Sequence, residues 1–364
     1  VISRVALRFT FYPFFAAPTF YYFIRGLRRG RRNDFIFAGI ALGLGLHGYS
    51  PFRIVPLIVV VAAFIYFIHH TSKEELKRVL SAVLVIALIS LVIFLPLFRY
   101  SLSHYQIFSH RMRTRMTGLE RPLPGPAWKV FLNNAWKALV MFQWDNGGTW
   151  VHSTPDRPAL GIVSGALFTL GVVIVIARYL RDRNWLDFLM LALVPMFLMT
   201  SILSLAFPLE NPCLNRTAGA IIPVFIMAGI SLDGLYLNIK KRWKSAWGNR
   251  FAWGFVVLLL VLSAFHNQEL VFKDYYEQFR KKALNTSDMG NMIENFDQSL
   301  GKAEHAWVVP YPYWVDTRLV GIRAGDPLKD YALWREDIPS TVSMEAPKLY
   351  IVKPEDQETI AVLR

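Results

Sequence analysis

VLSAVLVIALISLVIFLPLF, residues Val79–Phe98, decides the fold class. These twenty residues carry no charge and no glycine. As a helix rising about 1.5 Å per residue they reach about 30 Å, the thickness of a bilayer's hydrocarbon core. Working outward, Ala159–Ala177 and Phe188–Phe207 are equally free of charge over nineteen and twenty residues. Five shorter apolar stretches, Phe9–Ile24, Phe35–Phe52, Ile54–Ile68, Thr217–Leu232 and Phe251–Phe265, suit helices packed within a bundle. Gly39, Gly43, Gly45 and Gly48 give one of them a smooth face for close helix approach. We therefore expect an α-helical polytopic membrane protein of about eight transmembrane helices.

Composition agrees with that reading. Of 364 residues, 54% are hydrophobic and 18% charged, and mean hydropathy is +0.33. A soluble domain carries about a quarter charged residues. The formal net charge of +14 is unevenly spread: residues 1–265 hold 28 Lys/Arg against 10 Asp/Glu, and residues 266–364 hold 12 against 16. The basic excess sits between apolar stretches, as membrane topology requires and phosphate-backbone binding does not, so no nucleic-acid partner is expected. The single cysteine, Cys213, excludes an intramolecular disulfide.

The connections set an orientation. Loops 25–34, 69–78, 178–184 and 238–250 carry sixteen Lys/Arg in forty residues, with Arg28, Arg29, Arg31 and Arg32 the densest cluster. The alternate connections, 48–53, 99–158 and 208–216, carry ten in seventy-five. By the positive-inside rule the first set is cytoplasmic and the second extracytoplasmic. Both ends of the chain then lie outside the cytoplasm. An outer start is awkward for a chain opening at Val1, and we expect further spans upstream and both ends trimmed.

We divide the chain into a transmembrane helical domain, residues 1–265, with an extracytoplasmic loop at 99–158, and a C-terminal soluble α/β domain, residues 266–364. Within the loop a Pro/Gly knot at residues 121–126 precedes an amphipathic stretch, Trp128–Trp144, suited to lying along the membrane interface. The tail opens with a polar helical stretch, Lys273–Ser299. It then alternates β-rich runs, Ala306–Val309, Leu319–Ile322 and Leu349–Val352, with turn residues before a final helix from Pro354.

Charge near a membrane interior needs a reason, which directs attention to the outer connections. Arg53 closes the tight turn Gly48-Tyr49-Ser50-Pro51-Phe52, where a guanidinium either binds a phosphate through two N–H groups or reaches to lipid headgroups. The same two readings apply to Arg216 at the mouth of a later span. His110, Arg111, Arg113 and Arg115 follow the end of another and read first as a solvated or headgroup-facing group, with Arg111 nearest the membrane. Outer acidic residues are few: Glu120, Asp145, Asp156 and Glu210. Asp145, between Trp144 and a Gly-rich turn, has a sugar-contacting composition and equally reads as an interfacial turn. His47 and Asp233, nearest the span interiors, read as structural. No phosphate-loop, zinc-site, dinucleotide or triad spacing is present. Asn215-Arg216-Thr217 and Asn285-Thr286-Ser287 fit the glycosylation-acceptor pattern, which arises often by chance.

Several stretches in order carry a family resemblance. They are Ser3-Arg4-Val5-Ala6-Leu7-Arg8, Arg25-Gly26-Leu27-Arg28-Arg29, the run Ala38–Gly45, Tyr49-Ser50-Pro51-Phe52-Arg53, Pro155–Gly161 and Asn215–Pro223. Pro312–Arg318 and Lys348–Pro354 continue the series in the tail. Together they resemble bacterial members of the dolichyl-phosphate-mannose–protein mannosyltransferase-like family, polytopic glycosyltransferases of the GT-C type. The order of these stretches along the chain carries the resemblance.

The resemblance implies a bacterial inner-membrane enzyme with its C-terminal domain outside the cytoplasm. Such an enzyme takes a sugar from a polyprenyl-phosphate donor and passes it to a protein, lipid or glycan acceptor. An acidic residue in the first outer loop serves as general base, and basic residues hold the donor phosphate. That loop would lie upstream of Val1, so no catalytic residue is assigned here. Arg4, Arg53 and Arg216 are then expected on the lipid-phosphate side, with Tyr49, Arg111 and Asp145 as donor or acceptor contacts. No cofactor is required by the sequence, and a divalent metal has no support in it. A transporter or flippase of lipid-linked sugars and a non-catalytic membrane subunit are the alternatives. The first would be expected to bring inverted repeats, which are not visible.

Overall fold

The computed structural model describes residues 8–151, 153–243, 245–282, 286–311 and 314–364. It is mostly helical with little sheet. The chain divides into two compact units, Val1–Tyr275 and Tyr276–Arg364.

The first unit opens with α1 (Phe11–Arg29), α2 (Arg32–Leu46), a 3-10 turn at Ser50–Ile54, α3 (Val55–His69) and α4 (Lys73–Ser103). Two shorter helices follow, α5 (Tyr105–Met116) and α6 (Ala127–Val140), then α7 (Ile162–Asp182), α8 (Trp185–Ile202), α9 (Ile221–Arg242) and α10 (Ala246–Glu269). A π-helical stretch, Leu270–Asp274, follows α10, and all of α11 (Tyr275–Lys282) but its first residue belongs to the second unit. Among the described residues, six helical stretches are long and apolar enough to cross a membrane: Ser50–His69, Lys73–Ser103, Ile162–Asp182, Trp185–Ile202, Ala218–Arg242 and Trp247–Phe279. Helices α1 and α2 also form where the sequence placed apolar stretches. They fall short of that standard because α1 ends in Arg25, Arg28 and Arg29 and α2 has only 15 residues.

Local chemistry explains the longest helix. Ser72 caps α4 by accepting from the Glu75 backbone N–H at 3.2 Å, and Glu74 and Glu75 sit in the first turn beside the positive helix end. The helix continues through Pro96 to Ser103, beyond the apolar run that marks it in the sequence. Its exposed face, with Leu80, Leu84, Leu88, Leu91, Val92 and Leu95, is apolar, as a lipid-facing surface must be.

Glycine sets the closest helix contact. A Cβ on Gly39 would stand 2.8 Å from Ile89 Cβ and 3.1 Å from the Ile86 carbonyl, and one on Gly43 would stand 2.8 Å from Ile93 Cβ. The i, i+4 pair thus lets α2 lie directly on α4. Gly45 instead seats the Phe52 ring, which is 1% exposed.

Ion pairs and caps gather the basic connections at one end of this unit. Arg25 joins α1 to Asp34 of α2, Arg78 and Tyr66 both bond Glu75, and Arg178 of α7 meets Asp187 of α8 at 3.2 Å. The turn after α2, helix α5 and the loop between α8 and α9 come together at the other end. Helix α6 buries Val130, Asn134 and Ala138 and leaves Trp128, Leu132, Trp136 and Leu139 exposed, an apolar stripe along one face.

The second unit is built from α12 (Thr286–Ser299), β1 (Ala306–Val308), α13 (Thr317–Arg323), β2 (Leu349–Ile351) and α14 (Gln357–Leu363). β1 and β2 pair in parallel, with Ala306 opposite Leu349 and Val308 opposite Ile351. Ile293, Phe296, Val308, Val320 and Tyr331 form its core. The run Leu319–Ile322 is not the expected strand but lies within α13. Asp316 caps the helix by accepting from Arg318 N–H, and Thr317, Val320 and Gly321 are buried, a helical and not an alternating pattern.

Candidate functional site

The turn after α2 is fixed by aromatic packing. Phe52 meets Tyr12 edge-on at 5.7 Å between ring centres, and Tyr49, 7% exposed, packs on Phe9 at 4.9 Å. With its neighbours anchored, Arg53 reaches to α5. One Nη donates to the Phe108 carbonyl at 3.2 Å, and the guanidinium lies 3.7 Å from the centre of the Phe108 ring. Its Nε is buried with no hydrogen-bond partner among the described residues.

About two helical turns along α5, Arg115 repeats the arrangement. Its guanidinium stacks on Phe207 at 3.8 Å and donates to Glu210 Oε1 at 2.8 Å, and its Nε is likewise buried with no such partner among the described residues. Arg216 takes the other oxygen of the same carboxylate and donates to Ser204 Oγ at 2.9 Å. Thr200 holds the Arg216 backbone through its carbonyl at 2.6 Å. Side-chain exposure rises from 12% at Arg216 through 24% at Arg115 to 36% at Glu210, so the carboxylate faces outward over two deeper cations. Tyr49 is close enough to act on Arg216 electrostatically. α5 thus ties Arg53, through Phe108, to Arg216, through Arg115 and Glu210.

A buried polar network keeps this loop in place. Asn134 of α6 donates to the Ile202 carbonyl at 3.0 Å and accepts at its own carbonyl from Asn211 at 2.9 Å, while Ser201 donates to Asn211 at 2.6 Å. Cys213 donates to Asn215 Oδ1 at 2.8 Å, and burial pushes its thiol up. Asn215 is itself buried, so the acceptor pattern there is inaccessible.

Compared with known proteins, the chain matches no family model, no curated protein and no solved structure.

The remaining sequence candidates fall around this cluster or away from it. Arg111 is exposed on α5, one turn before Arg115. Asp145 accepts from the Gly147 N–H at 2.8 Å and so closes its own turn, between the exposed Trp144 and the buried Asn146. Gly147 has φ +88°, and a Cβ there would run into the Pro212 carbonyl, which places the Asp145 turn against the Arg216 loop. Arg4 and Asn285 lie outside the described residues. His47 bonds the Ile93 carbonyl at 2.9 Å, a structural contact, and Asp233 is exposed on α9. Among the described residues no group of three or more His, Cys, Asp or Glu gathers as a metal site. Sequence reading left the Arg115–Glu210 partnership out. The scarcity of outer carboxylates was the signal available, since Glu210 stands beside Arg216 in the chain.

Proposed function

We propose that this chain is the membrane body of a GT-C-type glycosyltransferase, moving a sugar from a polyprenyl-phosphate donor to an acceptor outside the cytoplasm. In this reading α1 and α2 join the six apolar helical stretches as membrane segments of a bacterial inner-membrane protein. The positive-inside rule puts the Arg53–Arg216 cluster and the tail, read as a small α/β domain, on the outer side.

One observation carries the reading. Two guanidiniums, Arg115 and Arg216, share one partly exposed carboxylate at the end of the bundle with fewer basic connections, and a third, Arg53, is held on the same helix α5; Arg53 and Arg115 carry buried Nε–H groups that no described residue satisfies. An unmet buried donor costs about 1–3 kcal/mol, which an oxygen-rich anion would relieve. A donor phosphate group fits that demand, with the Nε–H groups of Arg53 and Arg115 turned to it and Arg216 adding its charge as Glu210 yields. The same charges favour departure of the phosphate as leaving group, because they stabilise the charge that develops on it. Arg111, Tyr49 and Asp145 surround the cluster as contacts for donor or acceptor.

The reading is tested by thermal unfolding of the detergent-purified protein with a short-chain polyprenyl phosphate and with the matching polyprenyl alcohol. We expect the phosphate to raise the melting temperature more than the alcohol, and the difference to vanish in Arg216→Ala. Equal shifts from both ligands would contradict the proposal.

A further inference from the structure

Between α1 and α9 lies a cleft of about 650 Å³ that reaches from the first turns of α9 to the basic end of α1. Ala17, Phe20 and Ile24 form one wall, Ile222 and Ile226 the other, and Leu193 of α8 the floor. Arg25, Arg28 and Arg29 line its mouth. From Ala17 to Arg29 the α1 backbone rises about 18 Å, close to half of a hydrocarbon core about 30 Å thick. The cleft therefore runs the depth of one leaflet, apolar along its length and cationic where it meets the headgroup level.

The three arginines are not equivalent. Arg25 is neutralised: it donates to Asp34 from Nε at 3.0 Å and from one Nη at 2.5 Å, and it packs over the Tyr21 and Tyr22 rings. Arg28 and Arg29 are exposed, and among the described residues no carboxylate pairs with either. Two free guanidiniums beside an apolar slot match a ligand with a phosphate at one end and a hydrocarbon chain at the other.

We propose that this cleft is a binding site for one anionic phospholipid of the leaflet on the basic side. A chain lies between α1 and α9, and the phosphate is held by Arg28 and Arg29. The site is separate from the donor cluster, and its occupancy does not depend on the glycosyltransferase reading.

The test is lipid retention by the full chain. The protein is reconstituted in vesicles of equal phosphatidylglycerol and phosphatidylcholine, re-extracted in mild detergent, and the lipid still bound is counted by native mass spectrometry. We expect one phosphatidylglycerol per chain and no matching phosphatidylcholine peak. The double substitution Arg28→Gln with Arg29→Gln should lower retention by at least about tenfold. Ala17→Phe, which fills the cleft and leaves the charges intact, should do the same. Arg31→Gln with Arg32→Gln removes as much charge outside the cleft and should retain the lipid. Equal retention of the two lipids, unchanged retention in the Arg28/Arg29 or Ala17 variant, or equal loss in the Arg31/Arg32 variant overturns the proposal.

Discussion

Arg115 and Arg216 hold opposite oxygens of one carboxylate, Glu210, although they stand on α5 and on the loop before α9. The pairing leaves one net positive charge, with Arg53 bound to the same helix α5. In the proposed reading, Glu210 occupies the place of a bound anion. Replacing it with Gln leaves two cations facing each other without compensation, at a cost of about 1–2 kcal/mol given the partial exposure. We expect Glu210→Gln to melt lower than wild type in phosphate-free buffer and to gain more from added inorganic phosphate. Equal phosphate response in the two proteins would count against the anion site.

The α2–α4 contact makes a packing prediction. A methyl at Gly39 meets Ile89 and the Ile86 backbone, while one at Gly254 meets nothing within 4 Å. Gly39→Ala should cost about 1–3 kcal/mol through forced separation of the helices. Gly254→Ala in α10 should be neutral or stabilising by up to about 1 kcal/mol, since alanine favours the helix. Detergent thermal melts of both variants decide; the opposite ranking would refute the close approach.

Topology can be read with thiol chemistry. Cys213 is buried and its thiol pushed up, so little reactive thiolate exists, and it is the chain's only cysteine. With Cys213 replaced by Ser, a Gly125→Cys thiol should react with a membrane-impermeant maleimide in intact cells, and a Gly30→Cys thiol only after permeabilisation. Reversed labelling would invert the orientation drawn from the basic loops.

In the second unit, Asp356 supplies a pH dependence. The Thr359 hydroxyl donates to it at 2.6 Å and the Thr359 N–H at 3.1 Å, with Arg335 nearby, and these hold its carboxyl below the usual range. Because the folded value is depressed, its contribution is fully present above the unfolded value of about 3.9 and is lost as pH falls through the folded one. The stability advantage of wild type over Asp356→Asn should therefore shrink below about pH 4. An advantage that stays constant down to acid pH would remove Asp356 from the account.

The helical stretches were legible because uncharged runs such as Val79–Phe98 are long and continuous, and glycines at Gly39 and Gly43 announced a close contact. The continuation of α4 past Pro96 was not, because a membrane helix tolerates a proline that a soluble one would not. Leu319–Ile322 misled because four residues carry too little period, and the Asp316 cap decided instead. Arg53 and Arg216 stood out as isolated charges at span ends. Their common tie to α5 did not, since Phe108 and Arg115 reach them only through tertiary contacts distant in sequence.

Sugar transfer itself tests the proposed phosphate site most directly. Membranes carrying the protein are given a labelled polyprenyl-phosphate sugar, and incorporation into acceptor is compared for wild type, Arg53→Ala and Arg216→Ala, each checked for insertion by the thiol-labelling pattern above. Losing one such charge contact lowers rate by about a hundredfold in comparable electrostatic sites, and we expect a loss of that order in both variants. Undiminished transfer in two correctly inserted variants would contradict the assignment.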